Sequence, residues 1–356
     1  MKVGIFGDAH LTNSLPYTVP GNSFRKEMLV KYIDHFFSEI KEQEVSFLIV
    51  PGDLVHSTNL SPDDNDLLFY FYLKVSKLKL PVIISSGNHD IDNEDSALKF
   101  LTRVKNKNIF YKDKPVSWSL SFSNSKIAEF NIINFCDHKK FIKHSKKATF
   151  KHDNSKKILV GHVGVKGSLH GTTKSIFGVK KEDIEKLHSI YDLIVIGHHH
   201  NMQWVTDKCL YPGSIHQTRV DEVDTVPGGV IVDLNKTKAT KIENKFSPRF
   251  IVVESYKVNP EKIKGSIVKP VIDLESKSEE YNIKFLKRLE KYDPYYLIRP
   301  RIKKVFVINK GNKSRFKNKL DAINKTIDDF NLEKKKRMSY KKHTVGIWDD
   351  VCKTSI

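Results

Sequence analysis

Five short polar motifs constrain this chain most, because each one follows a run of apolar, largely β-branched residues. Such runs are typical of buried β-strands. Since the carboxyl ends of strands in an open α/β sheet form its ligand crevice, the pattern predicts one polar site at one sheet edge. The runs before the motifs are Val3–Phe6, Ser46–Val50, Pro81–Ser85, Lys157–Val160 and Leu193–Ile196, and a sixth run, Lys126–Phe135, precedes none of them. The motifs are Asp8-Ala9-His10, Gly52-Asp53, Gly87-Asn88-His89-Asp90, Gly161-His162 and Gly197-His198-His199-His200.

Helical patterns separate these strands and make the chain an α/β protein, with a layered α-β sandwich as one form. Phe24–Glu42 has apolar residues at helical spacing, and Pro62–Leu80 and Glu94–Val104 read similarly. Proline and charge at Phe246–Arg249 then indicate a boundary. We predict a main domain over residues 1–246.

A second, smaller unit follows this boundary. Two apolar runs, Phe250–Val253 and Lys304–Ile308, flank a helical stretch at Glu279–Lys291. This arrangement predicts a small α/β capping domain over residues 247–310. Beyond it, residues 311–356 are predicted to form a basic helical segment.

The motifs carry side chains that suit metal ions. Side chains at positions i and i+2 of an extended segment point to one side, so Asp8 and His10 can hold one ion together. By the same spacing His198 and His200 line one side, and His199 turns away. Carboxylate and imidazole ligands suit Mn, Fe or Zn better than an all-oxygen calcium site. Any one motif alone is usually a turn or a capped strand end, but all of them together at strand ends predict two metals bridged by a carboxylate.

Composition limits the class of protein. The 356 residues carry a formal net charge of +19. Residues 251–356 contain 26 Lys+Arg against 14 Asp+Glu, a difference of +12. This excess suits a polyanion such as nucleic acid, although a well-solvated basic surface is the simpler alternative. No membrane span or signal-peptide core is visible, and the three separated cysteines indicate no disulfide framework, so we expect a soluble cytoplasmic protein.

The motif series resembles the calcineurin-like metallophosphoesterase superfamily, whose blocks read D-x-H, G-D, G-N-H-[DE], G-H and G-H-x-H. The resemblance covers residues 1 to about 235. Two further features resemble the SbcD-type DNA nuclease subunits, also known as the meiotic-recombination nuclease family. They are His56, three residues after Asp53, and Tyr211-Pro212-Gly213-Ser214 followed by Asp221-Glu222 and Gly228–Asp233. The implied fold is a four-layer α-β-β-α sandwich with a small α/β capping domain and C-terminal helices.

The resemblance also implies site roles. One metal is expected at Asp8, His10, Asp53 and His200, and the other at Asp53, Asn88, His162 and His198, with Mn²⁺ as both ions. His89 is implied to stabilise the transition state or protonate the leaving oxygen. His56 would orient the phosphate, and Asp90 would fix the His89 tautomer. His170, His188 and His216 are expected to be surface or loop histidines, although His170 and His216 could reach a phosphate.

Three functions compete at this point. The first is an Mn-dependent DNA exo/endonuclease subunit that works with an SbcC-type SMC-like coiled-coil ATPase in DNA repair, recombination or replication. The second is a phosphomonoesterase or small phosphodiesterase on the same scaffold. The third is a non-catalytic DNA-binding assembly subunit, which the complete ligand set argues against.

Two apolar surfaces suggest protein partners. Leu67–Leu73 is apolar on every side of a helix, which fits either deep burial or a homodimer interface within residues 62–104. Phe316, Leu320, Ile323, Ile327 and Phe330 form a stripe on a Lys-rich helix. We expect this helix to dock onto the ATPase, with packing onto the cap as the alternative.

Overall fold

Two six-stranded β-sheets face each other in the computed structural model of the protein. The structure describes residues 1–18, 22–93, 95–104, 106–114, 116–122, 128–236, 238–255, 257–272 and 279–298. Its strands are β1 (Lys2–Ile5), β2 (Phe47–Pro51), β3 (Val82–Ser85), β4 (Ile91–Asp92), β5 (Asp95–Ser96), β6 (Ile109–Phe110), β7 (Ser117–Phe122), β8 (Ala128–Ile133), β9 (Lys156–His162), β10 (Leu169–His170), β11 (Thr173–Lys174), β12 (Leu193–Gly197), β13 (Gln203–Thr206), β14 (Cys209–Tyr211), β15 (Gly228–Asp233), β16 (Lys238–Glu243), β17 (Phe250–Val253), β18 (Ile267–Pro270) and β19 (Tyr296–Leu297). Its α-helices are α1 (Phe24–Glu42), α2 (Pro62–Ser76), α3 (His138–Lys146), α4 (Lys181–Glu185), α5 (Pro260–Ile263) and α6 (Glu279–Glu290).

The strands that carry the motifs are neighbours. The first sheet has the order β16-β15-β1-β2-β3-β6, and the second has the order β13-β14-β12-β9-β8-β7. In the first sheet β1, β2 and β3 run parallel, and in the second β8, β9 and β12 run parallel. The carboxyl ends of each parallel set therefore meet at one edge of its sheet.

Alternation along the strands creates the layers. Phe47 and Ile49 of β2 pack between the two sheets, whereas Leu48 and Val50 pack under α1 and α2. In the second sheet, Ile194 of β12 joins a separate cluster with residues of α3 and α4. Each fully buried Ile or Leu contributes roughly 1.5–3 kcal/mol. The four-layer α-β-β-α sandwich that the sequence predicts is thus confirmed.

Helix α2 is tied to the loop that follows β1. Its N-cap Ser61 accepts a hydrogen bond from the backbone N–H of Asp64, and the Asp64 carboxylate accepts one from the backbone N–H of Ser61. The same carboxylate accepts a 2.9 Å hydrogen bond from the backbone N–H of Asn13. This capping box therefore fixes both the start of the helix and the chain just beyond the Asp8–His10 motif.

A three-stranded parallel sheet, β17-β18-β19, follows the two large sheets in the chain. It has its own apolar cluster with α5 and α6, which includes Ile263, Val268 and Phe285. The backbone N–H of Phe250 donates a 2.6 Å hydrogen bond to the Gln217 side chain of the larger part. The domain boundary after residue 246 stays a prediction, and the predicted strand at 304–308 and the segment 311–356 lie outside the described residues.

One predicted helix is wrong. Residues 95–104 form the short strand β5 and a 3₁₀ turn at Lys99–Thr102 instead of an α-helix. The Ser96 hydroxyl accepts a 3.1 Å hydrogen bond from the backbone N–H of Leu98 and also pairs with the Tyr111 hydroxyl. Such local side-chain bonds to the backbone compete with helix formation. Among the helices that the structure describes, none has a stretch both long and apolar enough to cross a bilayer.

Candidate metal centre

The polar motifs meet where the two sheets come together. Asp8, Asp53 and Asn88 follow the adjacent strands β1, β2 and β3. His162 ends β9, and the 198–200 motif follows its neighbour β12. The structure therefore brings all seven predicted ligand residues together: Asp8, His10, Asp53, Asn88, His162, His198 and His200. We call Asp8, His10 and His200 the first half-site, and Asn88, His162 and His198 the second half-site.

Asp53 lies between the half-sites. One carboxylate oxygen accepts a 2.8 Å hydrogen bond from the backbone N–H of His89. The other lies 3.7 Å from His10 Nε2 and 3.3 Å from His162 Nε2. Burial opposes the charged form, but the charges of His162 and His10 outweigh it and lower the pKa of Asp53. The carboxylate thus stays ionised and addresses both half-sites, as a bridging ligand must.

In the first half-site two imidazole nitrogens face each other. His10 Nε2 and His200 Nε2 are 3.1 Å apart. His200 Nδ1–H donates a 2.6 Å hydrogen bond to the buried Glu222 carboxylate, so Nε2 is the nitrogen that faces His10. Burial lowers the pKa of His200, but Glu222 overcomes this effect and raises it to about 8. One oxygen of Asp8 accepts a 2.7 Å hydrogen bond from the backbone N–H of His198.

The second half-site rests on the backbone and on an amide. His162 Nδ1–H donates a 3.0 Å hydrogen bond to the Pro51 carbonyl. Asn88 Oδ1 lies 3.1 Å from His162 Nε2 and 3.1 Å from His198 Nδ1. Burial lowers the pKa of His162, yet Asp53 and Asp8 overcome it and raise it to about 9. Burial and the nearby His162 lower the pKa of His198 to about 3.

These donors fit divalent cations. The second carboxylate oxygen of Asp8 is fully buried and has no hydrogen-bond partner among the described residues. Ligand atoms of Asp8, His10 and His200 lie within 4.8 Å of one another, as do those of Asp8, Asp53 and His162. A buried carboxylate oxygen without a partner is costly unless a cation satisfies it, and the imidazole nitrogens beside it are suitable further ligands. The chemistry of the donor set therefore supports two ions.

The backbone is strained at three of the ligands. His10, Asp53 and His198 have φ angles of 41°, 49° and 111°, a region that non-glycine residues rarely adopt. A Cβ on Gly87 would collide with the Asp53 carboxylate. Strain of about 1–3 kcal/mol per residue persists only where the surroundings enforce it, and such residues cluster at functional sites.

His89 and His56 lie beside the first half-site. The ring centroids of His10 and His89 are 4.8 Å apart, and those of His56 and His89 are 5.4 Å apart. His56 Nδ1 lies 3.4 Å from His10 Nδ1. Ring nitrogens of His10, His56 and His89 also come within 4.8 Å of one another. Both predicted catalytic histidines are thus at the site edge, and both are half-buried.

The predicted role of Asp90 is wrong in this structure. Its carboxylate accepts hydrogen bonds from the backbone N–H groups of Gly87 (2.8 Å) and Val55 (3.0 Å). His89 Nδ1–H instead donates a 2.8 Å hydrogen bond to the His56 carbonyl. The strand-end turn directs the Asp90 side chain inward, where burial and the charge of Asp53 raise its pKa to about 7. Asp90 therefore braces the two loops rather than the His89 ring.

His199 lies away from both half-sites, as the i, i+2 spacing predicts. Its Nδ1 is 2.7 Å from the Ser168 hydroxyl, and its ring stacks on Tyr211 with centroids 4.8 Å apart. Burial lowers the pKa of His199 to about 3. This histidine therefore packs the hairpin at residues 168–174 against the strand end.

Two supporting contacts were not predicted from the sequence, one made by Glu222 and the other by Arg25 with His216. Glu222 orients His200. In the sequence, Glu222 was noted only as part of the Asp221-Glu222 pair in the SbcD-type resemblance. His216 lies in the loop after β14, one of the two places predicted for it, but it is fully buried rather than on the surface. Arg25 donates a 3.0 Å hydrogen bond to His216 Nδ1, and His216 Nε2–H then donates to the Ala9 carbonyl at 3.0 Å. The pair thus holds the Asp8–His10 motif from behind, and nothing in the local sequence of α1 marks Arg25 for this contact.

The chain matches one protein-family model and is similar to several solved structures. A family model for calcineurin-like phosphoesterases matches residues 1–202, a span that includes both half-sites and Asp53. Among solved structures, the chain is similar to an archaeal phosphodiesterase at 16% identity and a TM-score of 0.35, covering 68% of this chain and 99% of that one. It is also similar to a dimetal phosphatase from Danio rerio at 9% identity and a TM-score of 0.38, covering 65% and 91%.

Proposed function

Because this phosphoester hydrolase belongs to the calcineurin-like phosphoesterase family, we propose that it is a manganese-dependent DNA nuclease subunit. The net charge of +19 supports a polyanionic substrate. The sequence resemblance to SbcD-type subunits at His56 and Tyr211–Ser214 favours DNA over a small phosphoester. DNA repair, recombination or replication is the proposed setting.

The position of His56 carries the proposal. This residue is one of the two features that separate the SbcD-type pattern from the general motif series. Its ring lies 5.4 Å from that of His89 and beside His10, yet it stands outside both half-sites. A half-buried imidazole in this place is available to a phosphate that reaches the metals.

The reaction follows from the placement of these groups. Asp53 would hold both ions, with the first half-site on one side and the second on the other. Bound divalent ions would supply Lewis acidity toward phosphate and water. The His56 carbonyl accepts a hydrogen bond from His89 Nδ1–H, which leaves Nε2 as the ring atom for the leaving oxygen. His89 would give that oxygen a proton as an imidazolium with hydrogens on both nitrogens, and the neutral ring would then keep its proton on Nδ1. A positioned general acid contributes about 10²–10⁴-fold.

Substrate choice tests this function directly. Purified protein is given linear duplex DNA, bis-p-nitrophenyl phosphate and p-nitrophenyl phosphate, with Mn²⁺, Mg²⁺ or Zn²⁺ alone. We expect Mn²⁺-dependent cleavage of DNA, and the His56→Ala variant should lose DNA cleavage more than diester hydrolysis. Turnover of the monoester or the small diester without DNA cleavage would favour the small-substrate alternative. Metal-loaded protein that binds DNA and cleaves nothing would favour an assembly subunit.

Helix α2 supports the proposed homodimer. Leu67, Leu68 and Phe71 are buried, but Phe69 and Leu73 are 55% and 37% exposed. These two residues are four apart and lie on one face of the helix. We expect a dimeric mass by light scattering at micromolar concentration. Replacing both with Glu should give a monomer, and Val226→Glu, which changes another exposed apolar residue, should not.

The proposed ATPase partner depends on the C-terminal segment, which lies outside the described residues. Its stripe predicts a helix that enters a groove of an SbcC-type coiled-coil ATPase. Leu320→Asp combined with Ile327→Asp should abolish co-purification with the ATPase and leave small-diester hydrolysis intact. Loss of diester hydrolysis with retained co-purification would place the stripe against the rest of this chain.

A further inference from the structure

Two apolar side chains stand exposed at the rim of the metal centre. Ile176 and Phe177 are 70% and 76% exposed, more than any other large apolar residue that the structure describes. We call this pair the rim tip. Exposing two adjacent large apolar side chains forgoes the free energy of burying them, so the rim tip calls for a partner.

The rim tip stands on a well-anchored base. Ser175 exchanges backbone hydrogen bonds of 2.7–2.8 Å with Gly167 and Ser168, and the hydroxyl of Ser168 contacts His199. The side chain of Asn201 holds Gly171 through hydrogen bonds of 2.7 and 3.0 Å. The rim tip therefore lies on a hairpin that is hydrogen-bonded to the 198–201 segment after β12.

The rim tip is also close to the second half-site. The backbone N–H of Val179 donates a 2.8 Å hydrogen bond to the Gly164 carbonyl. Gly178 has a φ of 123°, and a Cβ there would collide with that carbonyl. A Cβ on Gly164 would in turn lie 3.3 Å from the His198 ring. Phe177 is next in the chain to Gly178, so the rim tip is connected to the second half-site through the contacts of Gly178 and Gly164.

The charge around the rim tip suits a nucleic acid. Between Asp153 and Glu182 the chain has six lysines and no carboxylate. Lys166, Lys174 and Lys180 are exposed beside the tip. A lipid surface or a second copy of the chain would also cover these apolar side chains. Of the three partners, only a substrate has to approach the metal centre. An aromatic side chain in a lysine-rich segment suits the stacking of a nucleobase, because nucleic-acid-binding proteins combine aromatic side chains with a positively charged surface.

We propose that Phe177, supported by Ile176, stacks against a nucleobase next to the scissile phosphate, while the lysines hold the flanking phosphates. This inference rests on the proposed nuclease function and adds a subsite to it. The subsite requires that a base is present but does not distinguish one base from another. Stacking on aromatic side chains is tolerant of sequence.

A double-mutant cycle tests the subsite. End-labelled duplexes with a single abasic nucleotide at each position around the cut are cleaved by the full-length protein with Mn²⁺. We expect one abasic position to slow the wild-type protein about fivefold or more, the size of a lost stack. Phe177→Ala should slow cleavage of the intact duplex similarly and lose the response to that abasic position, because the pair is then already broken. Phe177→Trp should restore the response.

Controls separate this inference from the function on which it rests. Phe246→Ala, which truncates another exposed phenylalanine, should keep the abasic response. Lys174→Gln should weaken cleavage at every position and reduce its salt dependence. If Phe177→Ala keeps the wild-type abasic response, or changes only the oligomeric mass or vesicle binding, the inference is wrong although the nuclease function stands. If the wild-type protein hydrolyses a small diester and no DNA, the proposed function fails first.

Discussion

The two half-sites of the metal centre are supported in different ways. In the first half-site His200 is oriented by a side chain, the Glu222 carboxylate, at 2.6 Å. In the second half-site His162 is oriented by a backbone carbonyl, that of Pro51, at 3.0 Å. A carboxylate adds charge as well as orientation, whereas a carbonyl adds orientation alone. A substitution at Glu222, outside the predicted ligand set, can therefore change the first half-site. The second half-site can be changed only by substituting its own predicted ligands.

The pKa shifts in the two half-sites also have different causes. His200 and His162 both have raised pKa values, about 8 and about 9. Glu222 is the main cause for His200, and the bridging Asp53 is the main cause for His162. Removing Glu222 should thus affect one half-site, and removing Asp53 should affect both.

The largest effect is expected from Asp53→Asn, because Asp53 serves both half-sites and the substitution should disable both of them. The amide cannot supply the negative charge that both ions share, so Mn²⁺ binding by calorimetry and phosphodiester hydrolysis should be lost together. Activity should fall to background, a loss of about 10⁶-fold or more. Asp66→Asn changes an exposed carboxylate of α2 and should alter neither. One ion bound at wild-type affinity in Asp53→Asn would show that the half-sites are independent.

His89→Ser should leave both half-sites loaded and reduce turnover by about 10²–10⁴-fold. His89 is outside the predicted ligand set, and its proposed work is done at Nε2 on the leaving oxygen. Calorimetry with Mn²⁺ and single-turnover cleavage are the two measurements. His152→Ser, at an exposed position, serves as the control. Loss of an ion in His89→Ser would instead make His89 a ligand, together with His10 and His56.

Glu222→Gln should weaken only the first half-site. The amide oxygen can still accept the His200 hydrogen, but the negative charge is gone, so we expect about 10–100-fold lower metal affinity or activity. His199→Ala removes a buried imidazole from the same motif and should keep Mn²⁺ affinity. Equal losses in the two variants would refute both the i, i+2 assignment and the distinct role of Glu222.

The smallest effect concerns protons released on metal binding. Because imidazole must be neutral to bind a metal, His200 and His162, with pKa values of about 8 and about 9, should release about two protons at pH 7. Metal affinity should therefore rise with pH until about 9. Calorimetry in buffers of different ionisation enthalpy measures the number released. In Glu222→Gln it should fall toward one, and an unchanged value would contradict the division between half-sites.

Much of the site was predictable because strand ends are a local property. The apolar run of Leu193–Ile196 predicts a buried strand, and the polar residues after it must emerge at the sheet edge. The period of two predicts that His199 turns away from His198 and His200, and the structure places it against Ser168. The Glu94–Val104 prediction failed because helical spacing alone does not register the side-chain bonds of Ser96.

The sequence by itself determined which residues reach the site, since strand periodicity and strand ends are written in neighbouring residues. Only the tertiary structure decided which other groups hold these site residues in position. Arg25 and His216 are 191 residues apart in the chain, and their contact exists because α1 packs across the loop after β14. The His56 carbonyl is the partner of His89 in place of Asp90, because the loops after the neighbouring strands β2 and β3 lie side by side and Asp90 turns inward. Such pairings depend on how segments distant in the chain pack, which no local pattern encodes, and so does the exposure of Phe177.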